Sequence, residues 1–97
     1  MKRSVLSKAA KTDLAGIKAY IEEQSGPLEA RRILVEIRKA IGMIATNPGI
    51  GHSRSDLTSL PYKFYAIYRY MIVFRASAKL ILISRVLHGN RDLKTIL

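Results

Sequence analysis

Met71-Ile72-Val73-Phe74 lies within the run Tyr62-Lys63-Phe64-Tyr65-Ala66-Ile67-Tyr68-Arg69-Tyr70-Met71-Ile72-Val73-Phe74-Arg75 and is apolar at four successive positions. Neighbouring residues of a strand point to opposite faces of the sheet, so such a strand needs cover on both faces. It predicts a central strand, covered by helices on one side and partly covered on the other. Residues 79–87 repeat this β-branched and aliphatic character after a turn at Ala76-Ser77-Ala78. Two or three antiparallel strands are therefore expected from residue 62 onward.

Upstream, the hydrophobic period changes. Residues 3–6 form a short strand-like run before Ser7, whose hydroxyl suits a helix N-cap, and Ala10, Leu14, Ile17 and Ile21 follow at helical spacing. Ser25-Gly26-Pro27 interrupts that stripe, with Pro27 suited to a first helical position and Glu29 to the positive helix end. A second stripe, Ala30, Ile33, Leu34, Ile37, Ile41 and Ile44, runs to Asn47-Pro48. Two amphipathic helices joined by about four residues should pack as an antiparallel hairpin. The resulting order, β-α-α-β-β-β, is an α+β fold with a helical hairpin on a mostly antiparallel sheet, in one domain spanning residues 1–97.

The chain has 97 residues and is 48% apolar, enough to bury a compact interior. It contains no cysteine, which excludes disulfides, thiol nucleophiles and thiolate metal sites. No apolar stretch follows the basic N-terminus as in a signal peptide, and none approaches a membrane span, so a cytoplasmic protein with no membrane partner is expected. The formal net charge is +10. Seven Lys or Arg against the single acid Asp92 place six of those charges in residues 63–97. A field so concentrated fits a phosphate backbone or an acidic protein segment, and charge alone does not choose between them.

Several residues are candidates for function on chemistry alone. Arg69 and Arg75 share strand parity and should lie on one face of the sheet, with Lys63 adding to the patch from a neighbouring strand. Arg85 sits in an apolar strand, where it either projects into solvent or pairs with an acid such as Asp92. Tyrosines stand at 20, 62, 65, 68 and 70, four of them within nine residues beside Lys63 and Arg69. Such a group stacks on bases, packs against a partner or satisfies strand propensity. His52 and Arg54 fall in a long Gly/Ser/Pro-containing loop, where His52 is expected to be solvated. Two histidines far apart, without an acidic cluster, give no metal site, and no cofactor is expected.

Four segments, taken together, carry a resemblance: Ala9-Ala10-Lys11-Thr12-Asp13-Leu14, Ile44-Ala45-Thr46-Asn47-Pro48-Gly49-Ile50-Gly51, Arg69-Tyr70-Met71-Ile72-Val73-Phe74-Arg75 and Arg85-Val86-Leu87-His88-Gly89-Asn90-Arg91-Asp92-Leu93. In this order they resemble the ParE branch of the RelE/ParE toxins of bacterial type II toxin–antitoxin systems. The resemblance implies a toxin held inactive in a hetero-oligomer by a cognate antitoxin, whose acidic amphipathic C-terminal segment folds on it. ParE-type members inhibit DNA gyrase by trapping it on cleaved DNA. RelE-type members cut messenger RNA on the ribosome, and a shared fold does not separate the two mechanisms. Where many ParE-like chains carry glycine or another turn former before the central strand, this chain has Ile67-Tyr68-Arg69, which predicts a shifted or wider turn.

On the ParE reading, Arg69, Arg75, Arg85, His88 and Arg91 are the target-binding candidates, and the protein acts by binding. On the RelE reading, His88, Arg85 and Tyr70 supply the proton transfers and the cation that attack by a 2′-hydroxyl requires. A homologue that has lost activity and a stand-alone nucleic-acid-binding module are the remaining alternatives. The ring of His88 is expected to fix the C-terminal turn through a hydrogen bond, with partner contact and catalysis also open to it. Asp92 is expected to cap the short turn that follows it.

Overall fold

Ser7 behaves as its chemistry requires. Its hydroxyl oxygen accepts the Ala10 N–H at 3.0 Å, starting helix α1 (Lys8–Ser25), and its O–H donates to the Ser84 carbonyl at 2.7 Å. One side chain thus caps a helix and pins it to the last strand. These contacts come from a computed structural model, which describes residues 2–56 and 58–89. Arg91 and Asp92, with the roles expected of them, lie outside the described residues.

Helix α2 (Pro27–Thr46) begins with Pro27 at its first turn and Glu29 beside it. The helices are separated by Gly26 alone, not by about four residues. Gly26 has φ 90°, a left-handed conformation that glycine adopts without steric cost, and this permits the reversal within one residue. Both expected stripes are buried: Ala10, Leu14 and Ile21 from α1, and Ala30, Ile33, Ile37, Ile41 and Ile44 from α2. Ile17 and Leu34 are partly buried against the same core.

Strands β1 (Arg3–Leu6), β2 (Lys63–Ile67), β3 (Tyr70–Ala76) and β4 (Leu80–His88) form one sheet in the order β1-β4-β3-β2. The β1–β4 pair is parallel and the other two are antiparallel. The expected order and fold class therefore hold. The β3–β4 turn falls at 77–79, since Ala76 still pairs with Ile81. Ile72 and Phe74 join the helix-side core with Ile81, Ile83 and Val86, whereas Val73 packs with Phe64 and Leu87 in a smaller cluster on the opposite face. That division explains the unbroken apolar run 71–74.

One irregularity governs everything downstream. Val73 pairs with Arg85 but Phe74 with Ile83, so Ser84 is an extra residue in β4. A bulge of this kind shifts the side-chain alternation by one position. Helix-facing positions step from Ile81 and Ile83 to Val86, and His88 follows Val86 to the helix side. The segment after α2, a 3-10 turn at Pro48–Ile50, continues to His52, whose N–H and C=O both bond to the backbone of Phe64 at 2.9 and 2.8 Å. This contact covers part of the outer edge of β2. The His52 side chain is exposed, as expected of a loop residue.

Candidate functional site

The hairpin joining β2 to β3 turns in two residues, Tyr68 and Arg69, because Ile67 pairs directly with Tyr70. The turn is therefore tight, neither shifted nor widened. The role of the missing glycine falls to Tyr68, which takes φ 54°, a conformation that costs a side-chain-bearing residue about 1–2 kcal/mol. The Arg32 guanidinium from α2 lies over the Tyr68 ring, 5.8 Å from its centroid, and holds the turn against the helices. Arg32 also forms an ion pair with Glu29. That pair and the Tyr68 contact push the guanidinium's pKa further up, and the Arg32 hydrogen bonds hold the Glu29 carboxyl below the usual carboxylate range.

Arg69 is fixed through its backbone: its carbonyl accepts the Gly89 N–H at 2.8 Å, which ties the turn to the end of β4. Its neighbour Tyr70 pairs with His88, and the two rings meet edge to face with centroids 6.0 Å apart and planes at 87°. These residues face α1 across a cleft of about 310 Å³, lined by Thr12, Asp13 and Tyr20 on the helix, by Arg69 of the turn and by Tyr70 and His88 of the sheet. The structure thus brings together three residues expected from sequence, Arg69, Tyr70 and His88.

Arg85 approaches the cleft by another route. Its Nε and Nη2 donate to the two carboxylate oxygens of Asp13 at 2.7 and 2.8 Å, and one of these oxygens also accepts the Val86 N–H at 3.0 Å. Of the two fates expected for Arg85, pairing with an acid is the one observed, with Asp13 as the acid. Asp13 was not a candidate from sequence; its only signal was its place in the Ala9–Leu14 segment that opens α1.

Arg75 lies elsewhere. It is six residues along from Arg69, about 20 Å at strand rise, with its guanidinium 5.6 Å from the Tyr62 ring centroid. Parity is no guide to a shared patch here, because Arg69 is a turn residue and not part of β3. Lys63 does not extend Arg75 either. It pairs with Phe74, a helix-side residue, whereas Arg75 has the parity of Val73 on the opposite face. The expected Arg69–Arg75–Lys63 patch is thus three separate cations. The tyrosines divide similarly: Tyr65 and Tyr70 pack on the main core, Tyr62 on the smaller cluster, and Tyr20 and Tyr68 are exposed.

Among the described residues no group of three His, Asp or Glu side chains is placed to hold a metal ion. No described helix is long and apolar enough to cross a membrane.

The family model for the ParE toxin of the type II toxin–antitoxin system parDE matches residues 5–93. The chain belongs to the ParE toxin family. It is 33% identical over 92 residues to Toxin ParE1 of Caulobacter vibrioides, a match that covers 95% of this chain and 94% of that one. Its fold is that of the solved structure of a chromosomal ParDE TA system from P. aeruginosa, with TM-score 0.77 and 20% identity over 91% of this chain and 96% of the other. As a ParE-type toxin it is one component of a toxin–antitoxin pair. Within this ParE chain, the cleft between α1 and the β3–β4 end brings the candidates Arg69, Tyr70 and His88 beside the Asp13–Arg85 pair.

Proposed function

We propose that this ParE-type toxin arrests growth by binding DNA gyrase and trapping it on cleaved DNA, and that a cognate antitoxin neutralises it by covering its helical hairpin and sheet. The family match over residues 5–93 carries this reading. Arg69, Arg85 and His88 are the described target-binding residues of this proposal, at or beside one cleft, and Arg75, over Tyr62 at the far end of β3, stands outside it.

Antitoxin capture is supported by a groove of about 680 Å³ between α1 and α2. Leu14, Ala30 and Leu34 are among its apolar lining, and Lys11, Lys18, Arg31 and Arg38 line it alongside the single acid Glu22. An acidic amphipathic segment has the matching chemistry, apolar on one face and negative on the other. A hetero-oligomer in the cytoplasm, where gyrase acts, follows from this reading.

The deciding experiment is a supercoiling assay with purified gyrase, scored for lost supercoiling and for accumulated cleaved DNA, with and without the antitoxin. Inhibition with trapped cleavage, reversed by antitoxin, is the expected result. Unaffected gyrase, with a folded protein that is toxic in cells, would overturn it.

A second reading has one observation in its favour. Tyr70 and His88 in contact beside Arg69 supply the residue types for a RelE-like ribosome-dependent mRNA endonuclease. Against it, Arg85 directs two of its donors to Asp13 and not towards a phosphate. Cleavage of ribosome-bound messenger RNA by the purified protein would establish this alternative.

A further inference from the structure

Three tyrosines and two arginines converge where the β2–β3 turn meets the helices. The cleft of about 310 Å³ described above has a neighbour of about 440 Å³, lined by Ile21, Gln24 and Ile33 from the helices and by Tyr68 from the turn. Tyr20, Arg69 and Tyr70 line both. Tyr20 is 54% exposed and Tyr68 58% exposed, far more than side chains recruited into a core. Volumes of this order are those of small-ligand sites, about 300–1,000 Å³.

The charges are arranged to leave the site positive. Asp13 and Glu29, the acids bordering the two clefts, are engaged by Arg85 and Arg32. Among the described residues no salt bridge engages Arg69, which stands between the clefts. Arg32, paired with Glu29, lies over the Tyr68 ring and holds that aromatic surface in place beside Arg69.

We infer that this end of the protein binds single-stranded DNA, with bases stacking on Tyr20 and Tyr68 and the phosphate between them held by Arg69. Two clefts that share a wall of rings and a cation repeat the two contacts a polynucleotide repeats, base and phosphate. A duplex keeps its base faces inside its own stack and cannot use the rings. An acidic peptide would use the cations and leave the rings idle. The inference rests on the gyrase reading only for the source of the strand, the unpaired DNA at a cleaved site.

The test is fluorescence anisotropy of the full chain with a short labelled oligothymidylate, a duplex of equal length, an oligouridylate and a polyglutamate peptide. The single strand of DNA should bind at least about tenfold tighter than the duplex and the peptide, and no more weakly than the oligouridylate. Tyr68→Asn removes the ring but keeps a residue that tolerates positive φ, so the fold persists while affinity falls by roughly 5- to 140-fold. Tyr68→Phe should retain affinity. Arg69→Gln should reduce the slope of log K against log salt by about 0.7. Equal binding of duplex or polyglutamate, tighter binding of the RNA, or an unchanged affinity in Tyr68→Asn would overturn the inference. A toxin that traps gyrase but shows no single-strand preference would sink this inference alone. One that prefers single strands and leaves gyrase untouched would sink the gyrase reading alone.

Discussion

Arg85 and Asp13, 72 positions apart in the chain, form a two-pronged ion pair that joins β4 to α1 beside the bulge at Ser84. The Asp13 side chain is 13% exposed and that of Arg85 27%, and the carboxylate also accepts the Val86 N–H. Removing one partner of a largely buried pair leaves a charge and an amide unsatisfied. Asp13→Ala is expected to cost about 2–4 kcal/mol, read from urea unfolding. Asp13→Asn, which keeps an acceptor for Val86, should cost less. A double-mutant cycle with Arg85→Ala should give a coupling of at least about 1 kcal/mol, and additivity would mean that the pair contributes nothing beyond its parts.

Gly51 is packed against the core from the loop side. A Cβ there would lie 2.7 Å from Cε1 of Phe74 and 3.1 Å from Cβ of Lys63. Phe74 is fully buried, so its ring has nowhere to move. Gly51→Ala is expected to destabilise by about 1–3 kcal/mol, the usual range for overpacking. Thermal melting should show a fall of at least several degrees, about 4–8 °C per kcal/mol for a domain this size. An unchanged melting temperature would mean that the loop can lift away from Phe74.

What could be read from the sequence was local chemistry. The Ser7 cap, Pro27 at a helix start, the two helical stripes and the doubly apolar strand around Val73 each depend on residues a few positions apart, and each is found in the fold. Features set across strands were not legible. The bulge at Ser84 leaves no mark in composition, yet it decides that His88 follows Val86 to the helix side. The acid for Arg85 was sought nearby at Asp92, whereas the fold supplies Asp13 from the first helix. Strand parity aligns Arg69 with Arg75, yet the two-residue turn takes Arg69 out of β3, and the Arg32 contact that accompanies the positive φ of Tyr68 comes from a distant helix.

The Glu29–Arg32 pair makes a prediction about pH. Hydrogen bonds from Arg32 lower the Glu29 pKa in the folded state. A depressed carboxylate contributes stability above its unfolded pKa and loses it as pH falls through the folded value. The contribution should therefore fade on the acid side, below the ordinary carboxylate range. It should be small, since both groups are exposed to solvent and salt. Titration of Glu29 followed by NMR should show a low midpoint that returns towards normal in Arg32→Ala. An unaltered midpoint would show that the pair does not persist in solution.

Arg69 and Arg75 should now be separable in function. Arg69 lies between two clefts and is held by its own carbonyl, whereas Arg75 is at the far end of β3 over Tyr62. If the cleft is where the target is engaged, Arg69→Glu should raise the concentration needed to inhibit gyrase by at least about tenfold, or about 1.4 kcal/mol. Because the Arg69 contact to Gly89 is made by backbone, the fold should survive, as circular dichroism would show. Arg75→Glu should change inhibition by no more than about twofold, while losing a cation–π contact worth about 0.5–1 kcal/mol to stability. Paired growth-arrest and supercoiling assays separate the two effects. Equal loss of inhibition in both variants would move the target surface off the cleft and onto a broad face that includes both ends of β3.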